Sequence, residues 1–309
     1  MIKINTVLDT FVENSPFMQK IVNYLSLVKF SHTIFAMPFA MIGFFYGIRT
    51  MTEPVTFLFL STKLIIMILC LISARNAAMS FNRYIDRNID KENPRTAERE
   101  IPSGVISKKN ARRFIIINVI LFFITAASLN TMSFVLSPIA LIIIFGYSLT
   151  KRFTWLCHTF LGLALSIAPI GAYIAVAGNT AAFNPTFVGI IAIIVITWVS
   201  GFDILYSLQD EDFDRDHNLF SIPVLLGRKR AIIMSFLLHI VTISLLIFLG
   251  IYFYLNIYYW IGAILFSFIL VYEHTVVSAD DISRVNLAFA VLNGIGSVIF
   301  AAFTNFSFI

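Results

Sequence analysis

The chain has 309 residues, of which 59% are hydrophobic and 13% are charged, and its formal net charge is +5. A soluble globular domain carries roughly 25% charged residues, so this composition excludes an ordinary water-soluble protein. The apolar residues come in blocks of about 18 or more, long enough to cross a hydrocarbon core of about 30 Å as helices. We therefore expect a single all-α domain over residues 1–309, a polytopic helical bundle in a lipid bilayer.

The pattern of the sequence argues against other classes of protein and site. A transmembrane β-barrel needs segments of about ten residues with strict alternation, and the apolar runs at 115–123 and 190–196 do not alternate. The basic excess does not require nucleic acid, because in a membrane protein Lys and Arg first report orientation. The two cysteines, Cys70 and Cys157, lie in apolar or nearly apolar segments, which supports neither a disulfide framework nor a zinc site.

Apolar runs bounded by charged or turn residues predict nine membrane-spanning helices. In chain order they cover residues 31–49, 55–81, 113–130, 133–150, 154–177, 187–209, 231–250, 255–273 and 286–305. The connection between Asn130 and Ser133 must be very short. Residues 1–28 lack the features of a cleaved signal and are expected to form a cytoplasmic N-terminal segment.

The basic residues indicate how the spans are oriented. Nearly all of them fall at 83–113, 151–152, 215–230 and Arg284, in loops that nine spans place on one side, while the opposite loops hold little beyond Arg49. The positive-inside rule then predicts a cytoplasmic N-terminus and an outer C-terminus. We expect a multi-pass protein of a bacterial inner membrane, with its acidic motifs at the cytoplasmic face.

The first acidic motif follows the second predicted span. Asn82, Asp86 and Asp90 are spaced by four residues, which places their oxygen atoms on one face of a helix. Magnesium prefers oxygen ligands and commonly joins one or two carboxylates to substrate phosphates. The motif is therefore a candidate magnesium site. A solvated helix end with arginine partners would show the same sequence pattern.

The second acidic motif follows the sixth predicted span. Asp210 and Asp214 again differ by four, and Asp203 lies two turns earlier inside an apolar span, where an ionisable residue indicates function. These three are the candidate catalytic residues. The acids at 211–212 are expected to face water or to pair with Arg215.

Two carboxylate clusters at one membrane face suit a diphosphate, whose charge needs more than one cation. Basic side chains near them are candidates to bind its phosphate oxygens, although positive-inside topology accounts for most of them equally well. The candidate substrate-binding residues are Lys29, Arg95, Arg99, Tyr147, Lys151 and Arg152.

Aromatic and histidine side chains offer weaker indications. Tyr147, Tyr173 and Phe202 are candidates to line a central cavity, where π faces would stabilise an allylic cation. His158 lies in apolar surroundings, and a hydrogen bond between helices is its expected role.

Five segments in this order carry a family resemblance. Residues 82–90 read NRYIDRNID, 94–99 read PRTAER, 147–154 read YSLTKRFT, 210–214 read DEDFD and 221–223 read SIP. On these motifs the chain resembles the UbiA family of intramembrane aromatic prenyltransferases over nearly its whole length. The pattern is most similar to the branch that prenylates 4-hydroxybenzoate, including relatives that act on 1,4-dihydroxy-6-naphthoate.

The resemblance implies a nine-helix bundle, a polyprenyl diphosphate donor, an aromatic acceptor and Mg²⁺, with no obligate protein partner. The implied metal ligands are Asn82, Asp86, Asp90, Asp210 and Asp214. Asp203 is the candidate to orient or deprotonate the acceptor. One departure is Arg83, which stands where many members have Asp.

Competing functions make different predictions. A haem or chlorophyll precursor as acceptor, or an intramolecular cyclisation, would keep the donor and change the rest of the reaction. A secondary transporter would place its ionisable groups near the bilayer midplane on broken helices, whereas these acids gather at one face. A phosphatidyl-type alcohol phosphotransferase would carry an Asp-x-x-Asp-Gly-x-x-Ala-Arg run, which this sequence lacks.

Overall fold

The structure is a computed structural model that describes residues 15–29, 35–51, 54–178 and 183–308, and the described residues contain helices but no strand. Helices α1 to α6 cover Pro16–Leu27, Met37–Arg49, Phe57–Glu92, Lys108–Leu129, Thr131–Thr150 and Cys157–Ala177. Helices α7 to α12 cover Thr186–Ser207, Glu211–Asp216, Ile222–Leu226, Arg228–Tyr252, Ile257–Val276 and Asn293–Phe306. The predicted all-α fold is confirmed.

Eight helical segments within the described residues are long and apolar enough to cross a membrane. They are α3 to α6, α7 with its extension to Asp216, α10, α11, and α12 with the π-helical turn before it. The chain is therefore an integral multi-pass membrane protein. The first predicted span, 31–49, lies partly outside the described residues, and within its described part the helix α2 has 13 residues. The count of nine stays a prediction.

Helix α3 is longer than the span predicted there. It continues for 36 residues to Glu92, well beyond the predicted end at residue 81. At about 1.5 Å per residue such a helix far exceeds a hydrocarbon core of about 30 Å. Its last turns are polar because they leave the apolar layer, and they carry the first acidic motif. We call this end of the bundle, where α3 ends and α10 begins, the charged end.

At the opposite end, a single residue separates α4 from α5. Asn130 has an extended backbone, its Oδ1 accepts a hydrogen bond from Ser133 N (2.8 Å), and its Nδ2 donates to Ile174 O (2.7 Å). The side chain thus caps α5 and ties the turn to α6. The very short connection predicted here is confirmed.

Consecutive long helices are neighbours in the bundle, from α3 through α7 and then α10, α11 and α12. Helix α2 closes the arrangement because it packs against both α6 and α12. Its contact with α6 depends on Gly43, where an added Cβ would lie 2.0 Å from Pro169 O. Only glycine permits the backbones to approach this closely.

Candidate active site

A cavity of about 630 Å³ is lined mainly by α3 to α7 and reaches the charged end, and we call its part at that end the mouth. Its charged part is lined by both acidic motifs, and its apolar part continues to Leu129 at the far end of α4. Small side chains line much of this apolar part: Ala74, Ala78, Ala126, Ala164, Ala168 and Ala172. The cavity is therefore an apolar channel with a carboxylate-rich mouth.

Asn82 and Asp86 lie on the same face of α3 at the mouth. Asn82 Nδ2 donates to Asp86 Oδ2 (3.2 Å), as the spacing of four predicts. Asp86 is buried and forms ion pairs with Arg152 Nη2 (2.7 Å) and Lys151 Nζ (3.6 Å) at the end of α5. The basic pair predicted to bind substrate therefore meets the first motif directly.

Asp90 lies one turn further along α3. Its Oδ1 accepts from Arg99 Nη1 (2.8 Å), whereas its Oδ2 is buried and has no hydrogen-bond donor among the described residues. Arg83 is also buried in the cavity wall and pairs with Glu100 (3.5 Å), which in turn accepts from Ser26 Oγ (2.5 Å). Arg83 thus fixes the loop after α3 against α1.

Asp210 of the second motif is joined to the loop that follows the first. Arg95 binds it with two hydrogen bonds, from Nε (2.9 Å) and Nη2 (2.5 Å), and Asn93 Nδ2 donates a third (3.1 Å). Arg95 Nη1 also donates to Tyr206 Oη (3.1 Å). Burial lowers the pKa of the Arg95 guanidinium, but its bonds to Asp210 outweigh that effect and raise the pKa above its ordinary value. Arg95 is a fixed positive charge beside the two motifs.

Asp214 is buried on α8 and also lines the cavity, although a short 3₁₀ turn at 208–210 separates α8 from α7. Two backbone hydrogen bonds hold the loop after α8 in place. Leu219 N donates to Asp214 O (2.8 Å), and Phe220 N donates to Lys151 O (2.7 Å). The second motif is thereby fixed to the end of α5 that carries the basic pair.

The acids at 211–212 form salt bridges, as expected. Glu211 pairs with Arg215 (2.6 Å) and Arg228 (2.8 Å), and Asp212 pairs with Arg228 (3.1 Å). Asp212 is exposed, but Glu211 is buried. Neither of them lines the cavity, so their salt bridges serve to hold α8 in place.

Asp203 lies deeper, on α7, and is paired with His158 of α6. His158 Nδ1 lies 2.7 Å from Asp203 Oδ2, and His158 Nε2 lies 3.3 Å from the backbone N–H of Ile222. Because Nε2 must accept from that N–H, Nδ1 carries the proton that is donated to Asp203. The hydrogen bond between helices predicted for His158 is present, and it orients a cavity-lining carboxylate.

Comparisons with known proteins decide the family. The model of the UbiA prenyltransferase family matches residues 36–305. The chain belongs to the UbiA prenyltransferase family. It is similar to the 4-hydroxybenzoate octaprenyltransferase of Aliivibrio fischeri strain MJ11, with 32% identity over 240 residues that cover 77% of this chain and 82% of the relative. The protein is therefore a membrane-embedded prenyltransferase.

Solved structures agree with this UbiA fold. The apo structure of a UbiA homologue from Aeropyrum pernix K1 superposes with a TM-score of 0.78 at 32% identity, covering 88% of this chain and 96% of that one. A UbiA homologue from Archaeoglobus fulgidus, bound to GPP and Mg²⁺, superposes with a TM-score of 0.64 at 19% identity, covering 93% and 99%. The second likeness concerns the fold alone.

Of the remaining predicted residues, some line the cavity and one does not. Lys29 and Tyr147 line the cavity, and so does Phe202. Tyr173 does not, so its predicted place was wrong. It is fully buried in the core, where its hydroxyl accepts from Asn184 N (3.0 Å), because α6 turns this position away from the channel.

Arg75 is a charged cavity residue that the sequence analysis did not identify. Arg75 lies on α3 and donates to Val28 O and Lys29 O, both at 3.1 Å, so it holds the segment that carries Lys29. The sequence contained a signal for it, since an ionisable residue within an apolar span indicates function.

Proposed function

We propose that the protein catalyses the Mg²⁺-dependent transfer of a polyprenyl group from a polyprenyl diphosphate to 4-hydroxybenzoate. The observation that carries this proposal is the continuity of the cavity, which joins two acidic motifs and their basic partners to a long apolar channel. Such a cavity suits a molecule with a polyanionic head and a hydrocarbon tail. The names of the curated relatives support the aromatic acceptor.

The charged mouth suits a diphosphate head group. Its acidic residues would hold magnesium, and its basic residues would neutralise the rest of the phosphate charge. The proposed phosphate-binding residues are Lys29, Arg95, Arg99, Lys151 and Arg152, and Tyr147 lies beside them in the wall.

The donor set fits magnesium. It consists of oxygen atoms from Asn82, Asp86, Asp90, Asp210 and Asp214, and the last two would also act in catalysis. Asp90 Oδ2 is the clearest sign, because a buried carboxylate oxygen without a hydrogen-bond donor among the described residues is costly unless a cation satisfies it. Bound magnesium would withdraw charge from the departing diphosphate.

The apolar channel suits the polyprenyl tail of the donor. Alanine side chains on α3, α4 and α6 leave its apolar part open, and it ends at Leu129 and Ser133 near the turn between α4 and α5. A chain bound there would lie along the bundle with its reactive carbon at the carboxylate-rich mouth. The channel thus sets which atom of the donor meets the acceptor.

The reaction breaks the bond between the allylic carbon and the diphosphate oxygen, and diphosphate leaves with the electron pair. Three aromatic rings near the mouth, Phe35, Phe202 and Phe289, lie with centroids 5.3–5.6 Å apart and line the cavity. Their π faces would stabilise positive charge on the allylic carbon. A ring carbon of the acceptor then bonds to that carbon.

Loss of a proton from the attacked ring carbon restores aromaticity. We assign Asp203 to orient the acceptor and to take up a proton, because its carboxylate faces the cavity and its other side is held by His158. His158 donates to Asp203, so it keeps the carboxylate in one orientation. His158 is a positioning residue in this scheme.

We further propose that residues 1–309 act as one domain in a bacterial inner membrane, with the charged end facing the cytoplasm. Basic residues flank that end of the bundle, in agreement with the positive-inside rule. Soluble aromatic acids would then reach the cavity mouth from the cytoplasm.

The test is a transfer assay with purified protein in detergent, a labelled polyprenyl diphosphate, Mg²⁺, and either 4-hydroxybenzoate or 1,4-dihydroxy-6-naphthoate. We expect prenylated 4-hydroxybenzoate, and no product with EDTA or in the Asp86→Asn variant. Asp216→Asn is the matched control, because Asp216 is exposed at the same end but does not line the cavity.

Each other outcome would change the proposal. Product only with the naphthoate would replace the acceptor. Release of diphosphate without a prenylated acid would indicate cyclisation or hydrolysis. Neither product nor diphosphate from folded protein would contradict the assigned reaction.

A further inference from the structure

A second group of ionisable side chains lies away from the cavity. His239 on α10 and Glu273 with His274 on α11 come together inside the bundle, and the described cavity walls include none of them. Glu273 and His239 are buried, and the His274 side chain is only 7% exposed. The proposed prenyl transfer makes no use of this cluster.

Three atoms of the cluster point at one another. His239 Nδ1 lies 2.7 Å from Glu273 Oε1 and 3.0 Å from His274 Nε2, and the last two atoms are 3.9 Å apart. No other described group of three His, Cys, Asp or Glu residues offers ligand atoms converging in this way.

The hydrogen bonds around the cluster leave these atoms with lone pairs. His239 Nε2 lies 3.1 Å from Trp198 O, which can only accept, so the ring proton of a neutral His239 resides on Nε2. Its Nδ1 then faces Glu273 Oε1, a buried oxygen with no hydrogen-bond donor among the described residues. Lone pairs on Nδ1 and Oε1 that lie 2.7 Å apart repel one another unless a proton or a metal ion lies between them.

Hydrogen bonds hold two of the three candidate ligands, His239 and Glu273. Glu273 Oε2 accepts from Asn293 Nδ2 (2.6 Å), and Asn293 Oδ1 accepts from Trp198 Nε1 (2.6 Å). Room for the His239 ring is made by Gly201, where a Cβ would lie 2.2 Å from Nε2. Histidine ligands of metals usually donate their second N–H to a carbonyl or carboxylate, and liganding carboxylates are themselves hydrogen-bonded.

We propose that His239, Glu273 and His274 form a site for a divalent transition metal, with Zn²⁺ as the ion that matches the ligands. Two imidazoles and one carboxylate are a zinc ligand set, with bonds of about 2.0–2.2 Å and a fourth position for water. A tetrahedron with such bonds has edges of about 3.3 Å. The three distances, 2.7, 3.0 and 3.9 Å, bracket that edge.

The ion would join four helices. His239 belongs to α10 and the other two ligands to α11, while Asn293 and Trp198 extend the network to α12 and α7. His274 lies two residues before the end of α11, so an ion could enter from the loop that follows it. The site would hold α10 to α12 together with α7, independently of magnesium at the mouth.

The test measures zinc and cobalt binding to the full-length protein in detergent, with saturating Mg²⁺ to occupy oxygen-ligand sites. Metal content is determined by mass spectrometry after dialysis against Zn²⁺, and Co²⁺ is followed by its visible absorption, which is intense only in tetrahedral sites. We compare the wild type with Glu273→Gln and His274→Gln. His217→Gln is the matched control, because His217 is exposed and lies outside the cluster.

Glu273→Gln is designed to fold. Its amide oxygen can still accept from Asn293, and its amide nitrogen can donate to His239 Nδ1, which satisfies the cluster without an ion. A monodisperse elution profile verifies folding.

We expect one equivalent of zinc and a tetrahedral cobalt spectrum in the wild type and in His217→Gln, with affinity lowered at least about tenfold in both cluster variants. Wild-type protein without bound zinc would overturn the proposal, as would a cobalt spectrum unchanged by Glu273→Gln. Either result would mean that the three side chains share protons with one another and do not bind a metal ion.

Discussion

The two halves of the bundle have similar apolar sequences but different interiors. Among α3 to α6 the facing surfaces carry alanines such as Ala78, Ala126 and Ala168, and a channel remains open. Among α7 and α10 to α12 the facing surfaces carry large aromatic side chains such as Trp198 and Phe266, and the space is filled. Hydropathy alone does not distinguish the halves, because side-chain volume decides whether packed helices enclose a cavity.

This difference assigns separate tasks to the halves. In the open half, substitutions of cavity-lining residues should change the reaction more than the stability. In the filled half, which also contains the cluster around Glu273, substitutions of residues that do not line the cavity should change the stability more than the reaction. One single variant and three matched pairs test the division and the packing behind it, in order of decreasing expected effect.

The largest effect is expected at the mouth of the open half. Asp86→Asn keeps the shape of the side chain but removes a charge that Lys151 and Arg152 contact. We expect kcat for prenyl transfer to fall about 10³-fold, the scale of losing one preorganised electrostatic contact. Melting temperature should stay close to that of the wild type, as measured by thermal shift in the same detergent. A large fall in melting temperature would show that Asp86 serves mainly the fold.

The next effect is expected in the filled half. Phe266→Ala empties a position with 0% exposure, stacked on Phe300 at 5.4 Å between ring centroids, and should lower the free energy of unfolding by about 3–5 kcal/mol. Phe268→Ala is the control on the same helix, because Phe268 is 68% exposed. Its effect should be within about 0.5 kcal/mol. Denaturation in detergent measures both, and equal losses would contradict a filled core.

A third effect concerns the length of the channel. Ala126 lines it close to its far end, so Ala126→Phe should obstruct long polyprenyl chains and leave short ones largely unaffected. We expect the ratio of kcat/KM for a long donor to that for a short donor to fall at least about tenfold, as for other hydrophobic-pocket discrimination.

The control for that variant is its neighbour in sequence. Ala127 is exposed on the outer face of α4, so Ala127→Phe should leave the ratio unchanged. If both variants, or neither, altered donor preference, the chain would not extend towards Leu129.

The smallest effects come from two glycines of α6. An added Cβ at Gly162 would lie 2.6 Å from Ile196 O of α7, whereas at Gly171 it would meet nothing within 4 Å. Gly162→Ala should lower the free energy of unfolding by about 1–3 kcal/mol through overpacking. Gly171→Ala should be neutral, or stabilising by up to about 1 kcal/mol through helix propensity. Thermal unfolding of the pair measures the difference, and the reverse order would contradict the described packing of α6.

Much of the bundle could be predicted from sequence because its signals are local. Long apolar runs marked the spans, a polar pair of residues marked the turn at Asn130, and spacings of four placed Asp86 and Asp90 on one face. The extension of α3 was missed, because its last turns are polar and hydropathy detects only the part of a helix that lies in lipid.

The contacts between distant helices could not be predicted. His158 meets Asp203 across 45 residues of sequence, and Arg95 reaches Asp210 across 115. No spacing rule connects such pairs, since they depend on which helices become neighbours. A central cavity was expected, but its alanine lining was missed for the same reason, because an alanine face is informative only when the surface opposite to it is known.

The most direct measurement is a structure of the protein in lipid nanodiscs with a long polyprenyl diphosphate and Mg²⁺. We expect the diphosphate among Asp86, Asp90, Asp210 and Asp214, and the chain along the alanine-lined channel towards Leu129. A chain that lay in the surrounding lipid, or against the filled half, would contradict the division of the bundle into a reactive half and a supporting half.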